Sequence, residues 1–226
     1  WDGSATATNV NIYIDGVETT YVLQTNGDTN RVDDSAQSLI LGNNTVSDSA
    51  RTWDGFLDDL RVYNYVRTPK QIVEDMNAGH PAGGSPISSS IINWKFDEQQ
   101  GSTANNSGTD STLDGTATGS TWRLENSTSG GCKLNGCVNV DTGTDDITLT
   151  DPAFFDSLTG MSASFWLNPQ TLATTNAIVS KSNTSQETFL IQTDATNSDE
   201  LRIYIADTVT DTSNYYTTNN ADLTAA

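Results

Sequence analysis

The sequence predicts an all-β sandwich of two antiparallel sheets, with one short helix at about residues 69–77. Three observations lead there. Apolar and polar residues alternate with period two in short runs, and turn dipeptides separate those runs about every 8–14 residues. Thr, Ser, Asn and Asp dominate the polar residues, which suits strands and turns better than helix interiors. Only one stretch carries a helix-start signature.

Taken in order, Val10, Ile12 and Ile14 alternate with Asn9, Asn11 and Tyr13. Asp15-Gly16 then turns the chain toward Thr20–Leu23, a hairpin with a primed-type turn. Residues 26–34 form a polar loop, and strands follow at 38–42 and 56–65. Thr68-Pro69-Lys70-Gln71 combines an N-cap, a proline at the first helical position and a capping-box glutamine. Ile72, Val73 and Met76 share one face of that helix, and Gly79 ends it. Residues 80–90 are a linker by composition, rich in Gly, Ser and Pro. Strands resume at 91–96 and recur at 137–140, 147–149, 162–167, 177–180, 188–192 and 201–205. The tail beyond Tyr215 shows no closing strand.

Charge narrows the range of partners. Against 10 basic residues stand 29 acidic ones, a formal net charge of −19. Phosphates would be repelled, so neither nucleic acid nor an anionic membrane surface is an expected partner. No apolar run approaches the length of a membrane span, so direct membrane insertion is not expected either. The acidic balance suits an exposed protein that meets divalent cations, or it serves solubility alone. The two cysteines, Cys132 and Cys137, flank the turn signal Asn135-Gly136, which brings them face to face. A disulfide there implies an oxidising, extracellular or cell-surface setting.

Several segments together resemble a known family. Trp1-Asp-Gly-Ser, Val10–Gly16 and Gly55–Asn64 are similar to the C-terminal half of a laminin-G-like domain of the concanavalin A-like lectin/glucanase group. Asn93–Glu98 with Gly101, Leu134–Ile147 and Met161–Asn168 are similar to its N-terminal half. The resemblance implies a jelly-roll sandwich of the kind found in bacterial extracellular tandem repeats, cut out of phase. Residues 1–79 would be the C-terminal half, 80–90 a linker and 91–226 the N-terminal half. The halves would close on each other as a permuted unit, or on neighbouring subunits.

Function follows as an expectation on the same terms. Glucanases of the group need carboxylates alternating along one strand, and no Glu-x-Asp-x-x-Glu run occurs here. Asp58-Asp59 and Asp97-Glu98 are adjacent pairs, which a regular strand would point to opposite faces. No nucleophile motif is present, so the chain is expected not to be an enzyme. The resemblance implies a structural Ca2+ held by Asp58, with Asp97 and Asp141 from the other half; otherwise Asp58 pairs with Arg61 or Arg67. Asp28, Asn30, Asp33 and Asp34 read as a solvated, oxygen-rich loop. Trp94 and Trp166 read as core. Trp53, Trp122, Tyr215 and Tyr216 lie nearer loops and could stack on sugar rings or serve packing. The expected function is a non-catalytic adhesion or recognition module binding glycans or proteins. The alternative is a structural repeat whose partners are copies of itself or neighbouring repeats, building a fibre or surface array.

Overall fold

The computed structural model describes residues 1–27, 34–45, 50–77, 89–124, 131–156, 158–172, 174–183, 186–194, 200–206, 213–218 and 223. In chain order the first elements are β1 (Tyr13–Ile14), β2 (Val17–Glu18), β3 (Tyr21–Gln24), β4 (Leu39–Leu41), β5 (Gly55–Tyr63) and α1 (Pro69–Asn77). Next come β6 (Ile92–Trp94), β7 (Thr103–Ala104), β8 (Gly115–Thr118), β9 (Thr121–Leu124), β10 (Gly136–Val140) and β11 (Asp146–Leu149). The last are β12 (Ser162–Pro169), β13 (Ala177–Asn183), β14 (Gln186–Thr193), β15 (Leu201–Ala206) and β16 (Ser213–Thr218).

Two antiparallel sheets make the sandwich. The larger has the order β3-β16-β15-β14-β13-β4-β11-β8-β7, and the smaller the order β12-β5-β10-β9. β6 joins the smaller sheet by pairing Leu60–Val62 of β5, next to where β10 pairs Gly55–Leu57. Strands from residues 1–79 therefore sit inside both sheets, beside strands from residues 91–226. β4 lies between β13 and β11, and β5 between β12 on one side and β10 with β6 on the other. Inward residues of both sheets build one core, in which Leu41, Leu57, Leu60, Trp94, Ile147 and Ile178 are buried.

The expected hairpin forms at Asp15-Gly16, where both residues have positive φ (49° and 76°), as a type I′ turn requires. Its strands are short, and β3 leaves to pair with β16. The capping box also forms: Gln71 N–H donates to Thr68 Oγ1 at 3.3 Å, and Thr68 N–H to Gln71 Oε1 at 2.9 Å. Gly79, His80 and most of the linker lie outside the described residues. So do Asp28, Asn30 and Asp33 of the oxygen-rich loop.

Three readings need correction. The tail does contribute a strand, β16, which pairs with β15 and β3. β8 and β9 are strands the expected set lacks: Gly-Thr-Ala-Thr shows no apolar alternation, and Thr-Trp-Arg-Leu alternates over only four residues, and cross-strand pairing holds both. Asp34 is buried rather than solvated. Lys181 on β13, fully buried, donates from Nζ to the Asp34 carbonyl and lies 3.5 Å from its Oδ1 and 3.6 Å from Asp156 Oδ1. An ionic contact inside the sandwich thus joins the two portions of the chain.

β5 carries the feature that shapes the site. All nine of its residues are buried, so both of its faces are covered. Between Asp58 and Arg61 it holds one residue more than β12 opposite, and Asp59 takes φ 50° at this bulge. Leu57, Leu60 and Val62 all belong to the core. The alternation therefore slips by one, and Asp58 and Asp59 both leave the core face, contrary to the regular-strand expectation. Over the outer face α1 covers one end: Arg61 Nη1 donates to the Asp75 carbonyl at 3.3 Å, and Arg67 forms an ion pair with Asp75 while stacking 4.4 Å from the Tyr63 ring.

Candidate functional site

The loop leading into β10 covers the other end of β5's outer face. Cys132 and Cys137 are joined in a disulfide that closes this loop over five positions. Asp58 lies beneath it: Oδ2 accepts from the N–H of Lys133 at 3.0 Å and of Leu134 at 2.7 Å. Asp97, after β6, accepts from Gly136 N–H at 3.0 Å. Two carboxylates from the two portions of the chain thus grip one disulfide-closed loop.

Asp58 is under electrostatic stress. Its carboxyl is buried, and among the described residues Oδ1 has no hydrogen-bond partner. Burial pushes its pKa up to about 7, helped by the negative charges of Asp59 and Asp97 and opposed by the Leu134 and Lys133 N–H donors. An orphaned, buried carboxylate oxygen beside a second carboxylate suits either a proton or a hard cation. Among the described residues no group of three or more His, Cys, Asp or Glu is placed to hold a metal, so carbonyl oxygens would have to complete any shell. Asp141 is not part of this group. It stands beyond the far end of β10, about 13 Å along the strand from the Asp58 level at ~3.3 Å per residue. There it accepts from Asn139 Nδ2 at 2.5 Å, and its own N–H donates to Asp145.

The aromatic candidates separate. Trp122 on β9 is half-buried at the sheet edge, donates from Nε1 to the Gly101 carbonyl at 2.8 Å and stacks on Phe96 at 6.3 Å. Phe96 immediately precedes Asp97, which brings Trp122 near Asp97. Trp122 stands opposite the core residue Val138 and so lies on the inner side of the smaller sheet, while Asp58 lies on the outer face of the interior strand β5. Trp53 is fully buried in the core. Tyr215 and Tyr216 lie on β16, whose side chains are outside the described residues. Trp94 is core, as expected. Trp166 is not: it sits half-buried on the outer face, with Lys133 Nζ 4.5 Å from its ring centre. The strand parity held the clue, because Phe165 and Leu167 face inward and Trp166 must face outward.

Losing the disulfide should loosen this loop. A Cys132→Ser, Cys137→Ser variant is expected to lose about 2 kcal/mol of stability, the chain-entropy value for so short a loop. Chemical denaturation beside the oxidised protein would measure it.

Fold and site together define a two-sheet antiparallel β-sandwich. Residues 1–73 match the laminin-G model of the concanavalin A-like lectin/glucanases superfamily, which confirms the resemblance carried by the first portion of the chain. No curated protein and no solved structure matches the chain. The superfamily includes glucanases as well as lectins, and the match supports a carbohydrate- or protein-binding module. Among the described residues no helix is long and apolar enough to cross a membrane.

Proposed function

We propose that this chain is a non-catalytic, extracellular recognition module that binds a glycan or protein at the edge of its smaller sheet. The observation that carries the reading is half-buried Trp122 on the edge strand β9, next to Asp97 and to a loop pinned by a disulfide. Trp122 offers a flat apolar ring held in place by its Nε1 hydrogen bond and by Phe96, the arrangement a sugar ring or an aromatic side chain stacks on. The disulfide supports an oxidising compartment.

A structural Ca2+ would be held by Asp58 and Asp97. The fit rests on the orphaned Asp58 Oδ1 and the second carboxylate beside it. The ion would neutralise the two acids and tie the β5 bulge to the loop, keeping the edge rigid. Asp141, standing apart, is left out of that set.

Glycan-array binding followed by titration calorimetry tests the recognition reading. Trp122→Ala should weaken binding at least about tenfold, as loss of a stacked aromatic anchor does, measured at a temperature where calorimetry shows the variant folded. Undiminished binding by Trp122→Ala would remove the site from this edge.

A further inference from the structure

Lys181 takes an inward position on β13. Val179, two residues before it, belongs to the core, and so does Phe189, its partner across to β14. An ammonium at such a position loses its hydration, a cost that polar partners must offset. Among its partners are oxygens of two aspartates. Nζ donates to the Asp34 main-chain carbonyl and stands 3.5 Å from Asp34 Oδ1 and 3.6 Å from Asp156 Oδ1.

The two carboxyls differ in their surroundings. The side chains of Lys181 and Asp34 are both 0% exposed, whereas that of Asp156 is 31% exposed. Phe155, buried immediately before Asp156, holds its ring 6.2 Å from that of Phe189. A nitrogen and a carboxyl thus meet in a dry space walled by aromatic rings, and a second carboxyl reaches from them toward solvent. An ion pair needs neither the dryness nor the third group. A condensation uses both.

We infer that Lys181 and Asp34 join through an intramolecular amide (isopeptide) bond, with Asp156 relaying a proton. The ion pair described above is the reactant. One ammonium proton passes to the Asp34 carboxylate, leaving an amine and a carboxylic acid. Nζ then attacks Asp34 Cγ, and the N–C bond forms. The bond from Cγ to the protonated oxygen breaks, and a second nitrogen proton, carried through Asp156, completes the departing water. Ammonium and carboxylate become one amide and one water, no oxidant or other reactant is consumed, and Asp156 ends as it began. Fixed placement makes the step unimolecular, which raises the effective concentration of the two groups. The product is a neutral amide, so the desolvation cost of two buried ions is removed. Asp34 rather than Asp156 is the acyl partner, because water solvates Asp156 and competes for its carboxyl. Positions 34 and 181 lie 147 residues apart, so the bond ties the early portion of the chain to the later one. It depends on neither the Trp122 edge nor the cation, and each assignment can fail without the others.

The test weighs the full oxidised chain, shown folded by calorimetry and then denatured, by intact mass spectrometry. The expected mass is that of the sequence less the disulfide hydrogens and one water. Trypsin, after reduction, should release residues 32–51 joined to residues 134–202, with Lys181 uncleaved and fragmentation placing the bond at Asp34. Lys181→Met should show no such product. Asp156→Ala alters a partly exposed side chain and should fold, yet form the bond at least about a hundredfold more slowly, read as linked fraction against time after synthesis. A folded wild type without the water loss would overturn the inference, as would a loss confined to one peptide or a bond from Lys181 to Asp156. Linkage of Asp156→Ala at the wild-type rate would overturn the relay.

Discussion

A Lys181→Met variant should unfold roughly 10 °C below the wild type. Lys181 is fully buried and faces Asp34, itself buried, so methionine keeps the volume but leaves a carboxylate without its cation. Breaking a buried pair from one side costs about 3–5 kcal/mol. For a domain of this size each kcal/mol moves the midpoint by about 2–4 °C. Asp156, partly exposed at its end of the contact, stays solvated and contributes less. Adding Asp34→Asn to Lys181→Met should recover part of the loss, since the stranded charge is then gone. Calorimetry of the wild type, the two single variants and the double variant would measure the coupling. A midpoint within a degree or two of wild type for Lys181→Met would show that the pair does not bear on the seam between the two portions.

The second large effect concerns Asp58. With calcium at about a hundred times its dissociation constant, linkage adds about 2.7 kcal/mol. That corresponds to a melting temperature about 5–10 °C above the value in chelator. Asp58→Asn should abolish the difference. In chelator the pH dependence has an unusual sign. Asp58 titrates at about 7 in the folded chain, against an ordinary value of 3.8, so the folded state holds its proton more tightly than the unfolded state does. The contribution of this group to stability therefore falls as pH rises from about 4 to about 7 and is level above that. A carboxylate stabilised as an anion would behave in the opposite way. Asp58→Asn keeps an acceptor for the Lys133 and Leu134 N–H groups while removing the charge, so it should flatten that fall. Thermal melts across pH 4–8, with calcium and with chelator, check both statements. Identical curves under the two conditions would sink the cation, and an unchanged slope in Asp58→Asn would sink the titration.

How much of this was legible beforehand depends on the kind of signal. The Asp15-Gly16 turn and the Thr68–Gln71 capping box are local chemistry, and both form where the residues predict them. Cys132 and Cys137 were likewise readable from a turn between them. Asp58 and Asp97 were read as partners by resemblance, and the structure does bring them to one loop. The geometry that does so was hidden. A bulge at Asp59 shifts the side-chain parity of β5, and a parity count assumes no extra residue. Asp141 was separated from the pair by the length of β10, which depends on register rather than on spacing. β8 (Gly-Thr-Ala-Thr) has no large apolar side chain to set a period, and β16 (Ser-Asn-Tyr-Tyr-Thr-Thr) places its two tyrosines side by side, so neither shows the period-two alternation that marks a strand.

The central claim is that the two portions of the chain close on each other as one sandwich. β5 reports on it most directly, since its partners β6, β10 and β12 all come from the later portion. Amide exchange of Leu57–Val62 can be followed over a hundredfold dilution, with the mass in solution measured alongside. The account predicts a monomer whose β5 amides exchange only by global unfolding, at rates independent of concentration. Protection that disappears on dilution, together with a mass that falls from dimer or larger, would contradict it and place the partners of β5 in another molecule.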